Sequence, residues 1–419
     1  MLTFPLDQGL IFILIACAVG LWMTWGIGAN DLANIMSPAM GSKAISVPQA
    51  IMIAVIFEIA GAFLGGSEVT ETVRSGIIDA QLLAPHLLIY CMLSVLFAGA
   101  VWITAASYLG MPVSITNAIV GGLVGVGAIV LGVHHIHWQK VGYIAISWLS
   151  SPTIAGVISF LLFISIKRLI LGADRPLEAA KRYVPFYLFI VGIVLALMTV
   201  LKGFKHFALH LNIFPLTSAV LSTASVVLVA GFFAMKKIFA EICIDRHMEF
   251  NLIEKMFSVL MAFTACAMVF AHGSNDVAIA VGPIAGIISL VNTQHFMQDG
   301  MLIHLMMFFG CLGVLLGLFM YGRKVIATVG VAITTLTPSR AFAATLAAAS
   351  TVVVSTSTGI PVSATQTLVG AVFGVGLARG IDALNLNVIR NIFLSWIITI
   401  PVAAGLATGF FYGLKAVFG

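Results

Sequence analysis

The sequence predicts an all-α polytopic membrane protein with about twelve transmembrane segments, arranged as two inverted-topology repeats that contain broken or re-entrant helices. Hydrophobic residues make up 61% of the 419 residues and charged residues only 8%, and the mean hydropathy is +1.14. A soluble domain of this length could not bury so much apolar surface. Two polar motifs each occur twice, which predicts the repeat, and the charges of the loops predict its inversion.

Twelve apolar runs predict the helices, because they suit a hydrocarbon core about 30 Å thick. The runs are continuous rather than alternating, which favours helices over the strands of a membrane barrel. Each repeat, 1–168 and 251–419, has five runs, and the central part, 169–250, has a cytoplasmic linker and a two-helix insert. Residues 30–45 and 276–294 follow polar motifs and are predicted to be half-helices or re-entrant segments. The predicted runs are 9–28, 47–66, 86–109, 113–131, 139–168, 184–201, 214–235, 251–272, 299–322, 339–357, 361–379 and 386–417.

The duplicated motifs indicate that one half of the chain repeats the other. Residues 110–117 read GMPVSITN and residues 359–366 read GIPVSATQ, at an offset of 249 residues. Residues 28–33 read GANDLA and residues 273–278 read GSNDVA, at an offset of 245 residues. Two polar motifs in the same order at nearly the same offset are typical of a transporter whose substrate site lies between its repeats.

Basic residues in the loops predict how the repeats are oriented. One group follows the first repeat and another precedes the second, whereas the loop between the two central helices has only Lys202 and Lys205. The positive-inside rule makes both groups cytoplasmic. With an odd number of crossings in each repeat, the repeats point in opposite directions and both termini lie outside. The two groups are Lys167, Arg168, Arg175, Lys181 and Arg182, and Lys236, Lys237, Arg246 and Lys255.

The two proline motifs are candidate oxyanion sites. A Gly-x-Pro sequence breaks a helix, and the start of the next helix offers free N–H groups at the positive end of its dipole. Hydroxyls and amides there can donate to an oxyanion, and two such helix starts facing each other would surround a tetrahedral anion. The alternative is a capped helix break without a ligand, which does not explain why five of the eight residues are identical. The candidate anion ligands are Ser114, Thr116, Asn117, Ser363, Thr365 and Gln366.

The Asn-Asp motifs are candidate coupling sites. Both aspartates follow long apolar runs, where an ionised carboxylate is costly and is a functional candidate by default. Oxygen ligands suit Na⁺ or a titrating proton, and a cation that neutralises the carboxylate would let an anion bind beside it. The alternative is a helix-capping Asp satisfied by nearby N–H groups. The candidate cation ligands are Asn30, Asp31, Asn34, Asn275 and Asp276, together with Glu58 inside another apolar run.

Other side chains argue against several classes of function. The five cysteines are scattered, and their spacing indicates neither a metal site nor a set of disulfide bonds. The cluster of His134, His135 and His137 has no carboxylate or Cys to complete a metal site. No Walker motif is present for ATP chemistry, so a gradient must drive any transport. The net charge of +5 comes from interhelical loops and does not indicate nucleic-acid binding. We expect no cofactor, and no metal beyond transported Na⁺.

These residues resemble the PiT family of inorganic phosphate transporters, and the resemblance covers both repeats. It is carried by residues 28–34, 57–62, 112–116, 273–278 and 361–365. The resemblance implies symport of phosphate with Na⁺ or H⁺, with phosphate between the two Ser/Thr helix starts. The Asn-Asp motifs would border both the phosphate site and the cation sites. A homodimer is implied as well, and we expect it in the lipid bilayer of the cell (inner) membrane.

Departures from the family pattern bear on the predicted site. Asn117 and Gln366 stand where the family often has His, so we expect no titrating imidazole beside the substrate. Ile279 occupies the place of the last Asn of the motif, which makes the second cation shell poorer in oxygen. Thr345 stands where the family commonly has Glu, which leaves Glu58 without a partner by symmetry.

The sequence therefore predicts a secondary active transporter that imports inorganic phosphate by symport with a cation, Na⁺ favoured over H⁺, through alternating access. The nearest alternative is a symporter of sulfate or another tetrahedral oxyanion. A carboxylate facing the anion favours phosphate, because hydrogen phosphate can donate a proton to it and sulfate cannot. A passive anion channel is a further alternative. We do not expect an enzyme, because neither proline motif contains an activating base or metal ligands.

Overall fold

The computed structural model describes residues 6–65, 77–79, 82–199, 213–239, 246–293, 300–356 and 362–419. Fourteen α-helices are present in these residues, and two pairs of them are joined through π turns, so that they form twelve continuous segments. The helices are α1 (Leu6–Ile27), α2 (Ala33–Gly41), α3 (Val47–Gly65), α4 (Pro85–Tyr108), α5 (Ile115–Val130), α6 (Trp138–Ile166), α7 (Pro176–Thr199), α8 (Ile213–Phe239), α9 (Arg246–His272), α10 (Ala278–Thr293), α11 (Gly300–Ala332), α12 (Pro338–Thr356), α13 (Ala364–Arg379) and α14 (Leu386–Phe418).

Every apolar run predicted from the sequence coincides with one of these helices, which confirms the all-α fold class. Helices suit these runs because a bilayer offers no water to satisfy the backbone, and a helix satisfies its own N–H and C=O groups. Nine helical stretches of the described chain are long and apolar enough to cross a membrane. The protein is therefore an integral, multi-pass membrane protein.

The segments that follow the Asn-Asp motifs are not separate half-helices, so that expectation was wrong. α1 continues into α2 through a π turn at Gly28–Leu32, and α9 continues into α10 through a second π turn at Gly273–Val277. π turns of this kind are frequent at functional sites. Each Asn-Asp motif thus occupies the π turn of one long helix, and all residues of both turns are buried.

Re-entrant geometry is found instead in two helical hairpins, α4–α5 and α12–α13. The chain before α4 meets the chain after α5, where the N–H of Asp79 donates to the carbonyl of His135 at 3.2 Å. At the base of the second hairpin, Arg379 Nη1 donates to Thr334 Oγ1 at 2.8 Å. Both ends of each hairpin therefore lie together. α5 and α13 have 16 residues each, about 24 Å of helix, which is shorter than a hydrocarbon core about 30 Å thick.

A glycine lets the chain reverse at the tip of the first hairpin. Gly110 has φ +67°, a left-handed conformation that favours glycine. Gly110 follows the end of α4 at Tyr108 and stands two residues before Pro112. Pro112 lies in the connection to α5, which begins at Ile115, and not in the first turn of that helix. In the second hairpin, the matching Gly359, Ile360 and Pro361 lie outside the described residues.

The two halves pack against each other through symmetry-related pairs of helices, in which a helix of each half contacts a helix of the other. α5 of the first half packs against α14 of the second, and α13 of the second half packs against α6 of the first. Glycines allow a close approach at both places, since a Cβ added at Gly121 would meet Ile400 and one added at Gly370 would meet Pro152. The first π turn likewise packs against α11, and the second against α3. A pair of elements related by a twofold axis makes contacts of this kind.

The orientation of the repeats in the membrane stays a prediction, as does the division of the chain at 168 and 250. Lys167 and Arg168 lie in a further π turn directly after α6, and two helices, α7 and α8, separate the halves. The predicted orientation also depends on the small number of basic residues in the loop between the two central helices. These residues, Lys202 and Lys205, lie outside the described residues.

We expect Gly28→Ala to destabilise the protein by about 1–3 kcal/mol, the usual cost of overpacking. A Cβ at Gly28 would overlap the carbonyl oxygen of Val314 in α11, and a backbone group cannot move aside as a side chain can. Gly405→Ala in α14 is the matched control, because a Cβ there meets no atom within 4 Å. Melting temperatures in detergent test this, and equal values for the two variants would contradict it.

Candidate functional site

The tips of the two hairpins meet inside the protein. Thr116 Oγ1 donates to the carbonyl of Val362 at 3.1 Å, and Thr365 Oγ1 donates to Asp31 Oδ1 at 2.6 Å. Each threonine hydroxyl thus reaches from its own half into the other. The six candidate anion ligands are all buried, with at most 2% of each residue exposed. The structure therefore brings the two duplicated proline motifs together around one region.

Serines cap the two helices at this meeting point. Ser114 lies before α5 with extended dihedrals, and its Oγ accepts from the N–H of Asn117 at 3.3 Å. Ser363 does the same before α13, with Oγ accepting from the N–H of Gln366 at 3.1 Å. Both serines are therefore helix caps. A hydroxyl that accepts in a cap keeps its O–H, so capping leaves each serine able to donate to an anion.

Two amides and an absence of fixed cations complete the chemistry of the tips. Among the described residues, Asn117 Oδ1 and Gln366 Oε1 have no hydrogen-bond partner although both side chains are buried. The buried polar residues of the described chain include neither Lys nor Arg. An anion bound here would meet neutral hydroxyl, amide and backbone donors. Neutral donors suit transport, because a bidentate guanidinium clamp would favour retention over release.

The asparagines of the Asn-Asp motifs hold the hairpin tips in place. Asn30 Nδ2 donates to the carbonyl of Met111 at 2.9 Å, and its Oδ1 accepts from the N–H of Val113 at 3.2 Å. Asn275 Nδ2 donates to the carbonyl of Val362 at 2.6 Å, and its Oδ1 accepts from the same residue's N–H at 3.4 Å. Each asparagine thus fixes the backbone just before the capping serine of its own half, a role that the sequence did not reveal.

One face of the first motif presents buried oxygens without a partner. Asp31 Oδ2, Asn34 Oδ1 and Ser37 Oγ, at a spacing of three residues, accept no hydrogen bond from the described residues. We call these three residues the oxygen strip. Thr345 Oγ1 is also buried without a partner, on α12, which packs against α2. Carboxylate, amide and hydroxyl oxygens of this kind are hard ligands for a small cation. Ser37 was missed from the sequence, although it lies one helical turn beyond Asn34.

A buried charged triad lies at the second motif. His272 Nδ1 is 2.7 Å from Glu58 Oε1, and His272 Nε2 is 3.1 Å from Asp276 Oδ2. All three side chains are at most 2% exposed. Nδ1 is hydrogen-bonded to Glu58, whereas Nε2 lies within ion-pair distance of Asp276 without a hydrogen bond, so a protonated ring would balance the charge of both carboxylates. Asp276 Oδ1 also accepts from Asn275 Nδ2.

The triad gives Glu58 an ion-pair partner, His272, that the sequence did not reveal. It puts a buried imidazole beside one Asn-Asp motif, not at the positions of Asn117 and Gln366. The triad is also one-sided. The offset of 245 residues places Ile27 where the first half would need the histidine. Gly273 of the second motif lies against Glu58, and the matching Gly28 of the first motif lies against Val314. The apolar Val314 therefore stands where a second glutamate would be expected by symmetry.

Two hairpins that meet within a membrane bundle, with hydroxyls, amides and buried carboxylates at the junction, are an arrangement typical of a membrane transporter. The chain belongs to the phosphate transporter family, whose model matches residues 27–407. The protein is therefore a transporter of the phosphate transporter family and not an enzyme.

Known proteins resemble this chain along nearly its whole length. A Haemophilus influenzae protein named "Putative phosphate permease" is 45% identical over 412 residues, covering 96% of this chain and 97% of the relative. The Pyrococcus horikoshii protein named "Putative phosphate permease PH0640" is 35% identical, covering 99% of this chain and all of the relative. A solved structure described as "The sodium-dependent phosphate transporter" matches with a TM-score of 0.89 and 34% identity, covering 97% of this chain and 100% of its own.

Proposed function

We propose that this protein imports inorganic phosphate by symport with Na⁺, through alternating access of a site between the two hairpin tips. One observation carries the proposal: the hydroxyl of Thr365, a candidate phosphate ligand, is hydrogen-bonded to Asp31, a candidate cation ligand, at 2.6 Å. The anion site and the cation site thus share one hydrogen bond. A change of charge at Asp31 is therefore felt directly by a group that would bind phosphate.

Phosphate is proposed to bind between the two helix starts. Its oxygens would accept from the hydroxyls of Ser114, Thr116, Ser363 and Thr365 and from the amides of Asn117 and Gln366. The N-termini of α5 and α13 add the positive ends of two helix dipoles. Because all these donors are neutral, the anion is held by many modest hydrogen bonds that break in turn when the site opens.

Na⁺ is proposed to bind at the oxygen strip, with Asp31 and Asn34 as its first ligands. A bare carboxylate would repel phosphate by about 4 kcal/mol at 4 Å, with an effective dielectric constant of 20. A bound Na⁺ removes most of this repulsion. It also draws charge from the carboxylate that holds the Thr365 hydroxyl, which frees that hydroxyl for phosphate. We therefore propose that the cation binds before the anion.

The second motif is proposed to contribute in a different way. Asn275 holds the tip at Val362, and Asp276 and Glu58 share the charge of His272. The similar solved structure is described as a sodium-dependent phosphate transporter, which supports Na⁺ as the coupling ion. The triad is the observation that favours H⁺ instead, because a histidine between two carboxylates is a place where a transported proton could reside.

Alternating access is proposed to arise from the exchanged packing of the two halves. The hairpin of each half lies against a long helix of the other, α5 on α14 and α13 on α6. A tilt of one half relative to the other would therefore open one hairpin while the other stays packed. The protein is proposed to lie in the cell (inner) membrane with both termini outside, and the homodimer stays a prediction.

Uptake into proteoliposomes tests the function and the coupling ion. We expect labelled phosphate to accumulate when an inward Na⁺ gradient is imposed, and to remain near background when only a pH gradient is imposed. Accumulation against the phosphate gradient would exclude a passive channel. Uptake that follows the pH gradient and ignores Na⁺ would assign coupling to H⁺. Strong competition by excess sulfate would contradict the choice of phosphate.

A further inference from the structure

A third short motif occurs in both halves of the chain. Ser147-Trp148 lies in α6 and Ser395-Trp396 lies in α14, at an offset of 248 residues. These are the two long helices on which the hairpin of the opposite half packs. In both copies the serine hydroxyl donates to the carbonyl three residues earlier, at 2.6 and 2.7 Å. The two tryptophans therefore share one local structure, and their contacts with the hairpins can be compared directly.

Trp396 contacts the backbone at the tip of the first hairpin. Its Nε1 donates to the carbonyl of Pro112 at 3.2 Å, and both residues are buried. The Ser395 hydroxyl, 3.5 Å from the same carbonyl, cannot replace this donor, since it donates to the carbonyl of Ile392 at 2.7 Å. α14 belongs to the second half of the chain and the hairpin to the first. The indole N–H thus forms a hydrogen bond between the two halves.

The peptide unit between Pro112 and Val113 is held by both of its polar atoms. Its C=O accepts from Trp396, and its N–H donates to Asn30 Oδ1 at 3.2 Å. One of these side chains comes from each half of the protein. Because a peptide unit is planar and rigid, two bonds at its opposite ends fix its place and its rotation. The next residue is Ser114, the capping serine of α5, so this peptide unit determines where the helix starts.

We propose that Trp396 is a positioning residue for phosphate binding, a role that rests on the proposed function. From the second half, its indole N–H sets the place of the first hairpin tip, and with it the hydroxyls of Ser114 and Thr116. Without this donor the buried carbonyl of Pro112 loses its hydrogen bond, and the tip has more positions open to it. Phosphate then binds more weakly, because ordering the tip consumes part of the binding free energy.

The matching tryptophan makes no such contact. Trp148 Nε1 has no hydrogen-bond partner in the described part of the chain. α6 is joined to α13 by its serines instead: Ser151 Oγ is hydrogen-bonded to Thr367 Oγ1 at 3.0 Å, and Ser159 Oγ donates to the carbonyl of Ala371 at 2.7 Å. Trp148 is therefore the matched control for Trp396, with the same residue type in the same motif and no hydrogen bond to lose.

Phosphate uptake by Trp396→Phe and Trp148→Phe tests the proposal in the whole protein. Phenylalanine keeps an aromatic ring but has no N–H to donate. In proteoliposomes with an inward Na⁺ gradient, Trp396→Phe should raise KM for phosphate about threefold to tenfold, the size expected for one lost hydrogen bond, with little change in the maximal rate. Trp148→Phe should keep the wild-type KM. A wild-type KM in Trp396→Phe, or an equal rise in both variants, would overturn the proposal.

Hydrogen exchange of the protein in detergent, without phosphate or Na⁺, measures the position of the tip independently of transport. We expect exchange in residues 111–117 to be about threefold to tenfold faster in Trp396→Phe and unchanged in Trp148→Phe. Unchanged exchange in Trp396→Phe would contradict the tether. Faster exchange with a wild-type KM would overturn the role in phosphate binding, and with it the assignment of Ser114 and Thr116. A wild type without Na⁺-driven uptake would contradict the proposed function and leave the exchange result standing.

A second replacement separates the indole N–H from the size of the ring. Trp396 is buried and Trp148 only half-buried, and Trp396 also packs edge-on against Phe393, with ring centroids 4.7 Å apart. Site-specific replacement of Trp396 by benzothienylalanine keeps the two fused rings and puts sulfur in place of the N–H. This protein should show the same rise in KM as Trp396→Phe. Wild-type KM and exchange here would assign the effect of Trp396→Phe to lost packing and overturn the proposal.

Discussion

Asp31→Asn is expected to abolish Na⁺-driven phosphate uptake while the protein stays folded. The variant removes the negative charge of the oxygen strip, and with it about 4 kcal/mol of attraction for a cation 4 Å away, a loss of about a thousandfold in affinity. The fold should survive, because an asparagine Oδ1 can still accept the hydrogen bond that Thr365 donates. Uptake in proteoliposomes and the melting temperature in detergent measure the two effects separately.

Asp382→Asn is the matched control for the loss of one carboxylate. Asp382 lies exposed in the short 3-10 turn between α13 and α14, far in sequence from both motifs, and its variant should transport normally. Asp276→Asn should also lose uptake, but with a lower melting temperature, because Asp276 pairs with His272. Normal uptake by Asp31→Asn would remove Asp31 from the mechanism.

His272→Gln is expected to cost about 3–5 kcal/mol of stability, the range seen when one partner of a buried ion pair is removed. Glutamine cannot carry charge, so Glu58 and Asp276 would remain as buried carboxylates with no cation between them. Their oxygens now lie 2.7 and 3.1 Å from the imidazole. A large fall in the melting temperature in detergent is the expected result, and uptake should fall with it.

A double-mutant cycle with Glu58→Gln separates pairing from simple loss of a side chain. If the two residues act as a pair, the double variant should be more stable than the sum of the single effects implies, by about 0.5–3 kcal/mol. Additive effects would contradict the pairing. His135→Gln is the control, because His135 is exposed in the turn before α6, and this variant should keep the wild-type melting temperature.

Much of the fold, and the meeting of the two proline motifs at the candidate anion site, could be predicted from the sequence, because polar residues inside apolar runs are conspicuous. Ser114, Thr116, Ser363 and Thr365 were identified in this way, and the structure brings their motifs together. The hairpins could not be predicted as such, since α4 has 24 residues and reads as an ordinary crossing. The backbone pairing of residues 77–79 with residues 135–137 shows that the chain returns to the same side.

The triad could not be predicted, because its meaning depends on packing between distant segments. His272 is one histidine in an apolar run, and Glu58 lies 214 residues away along the chain. Their contact exists only because α3 packs against α9 and its π turn. The asparagines show a similar limit. Sequence identifies Asn30 as a polar residue at a sensitive place, but not that its amide is engaged by the backbone of Met111 and Val113.

The triad occurs at the second motif only, which bears on how the two halves of the chain diverged. The exchanged contacts, α5 on α14 and α13 on α6, are those that two identical half-length subunits would make if they inserted in opposite directions. In such an ancestral pair, any histidine or glutamate in one subunit would be present in both. His272 facing Glu58, with Ile27 and Val314 at the related places, is therefore a difference that arose once the two halves were no longer identical. A charge held at the triad has no counterpart in the first half.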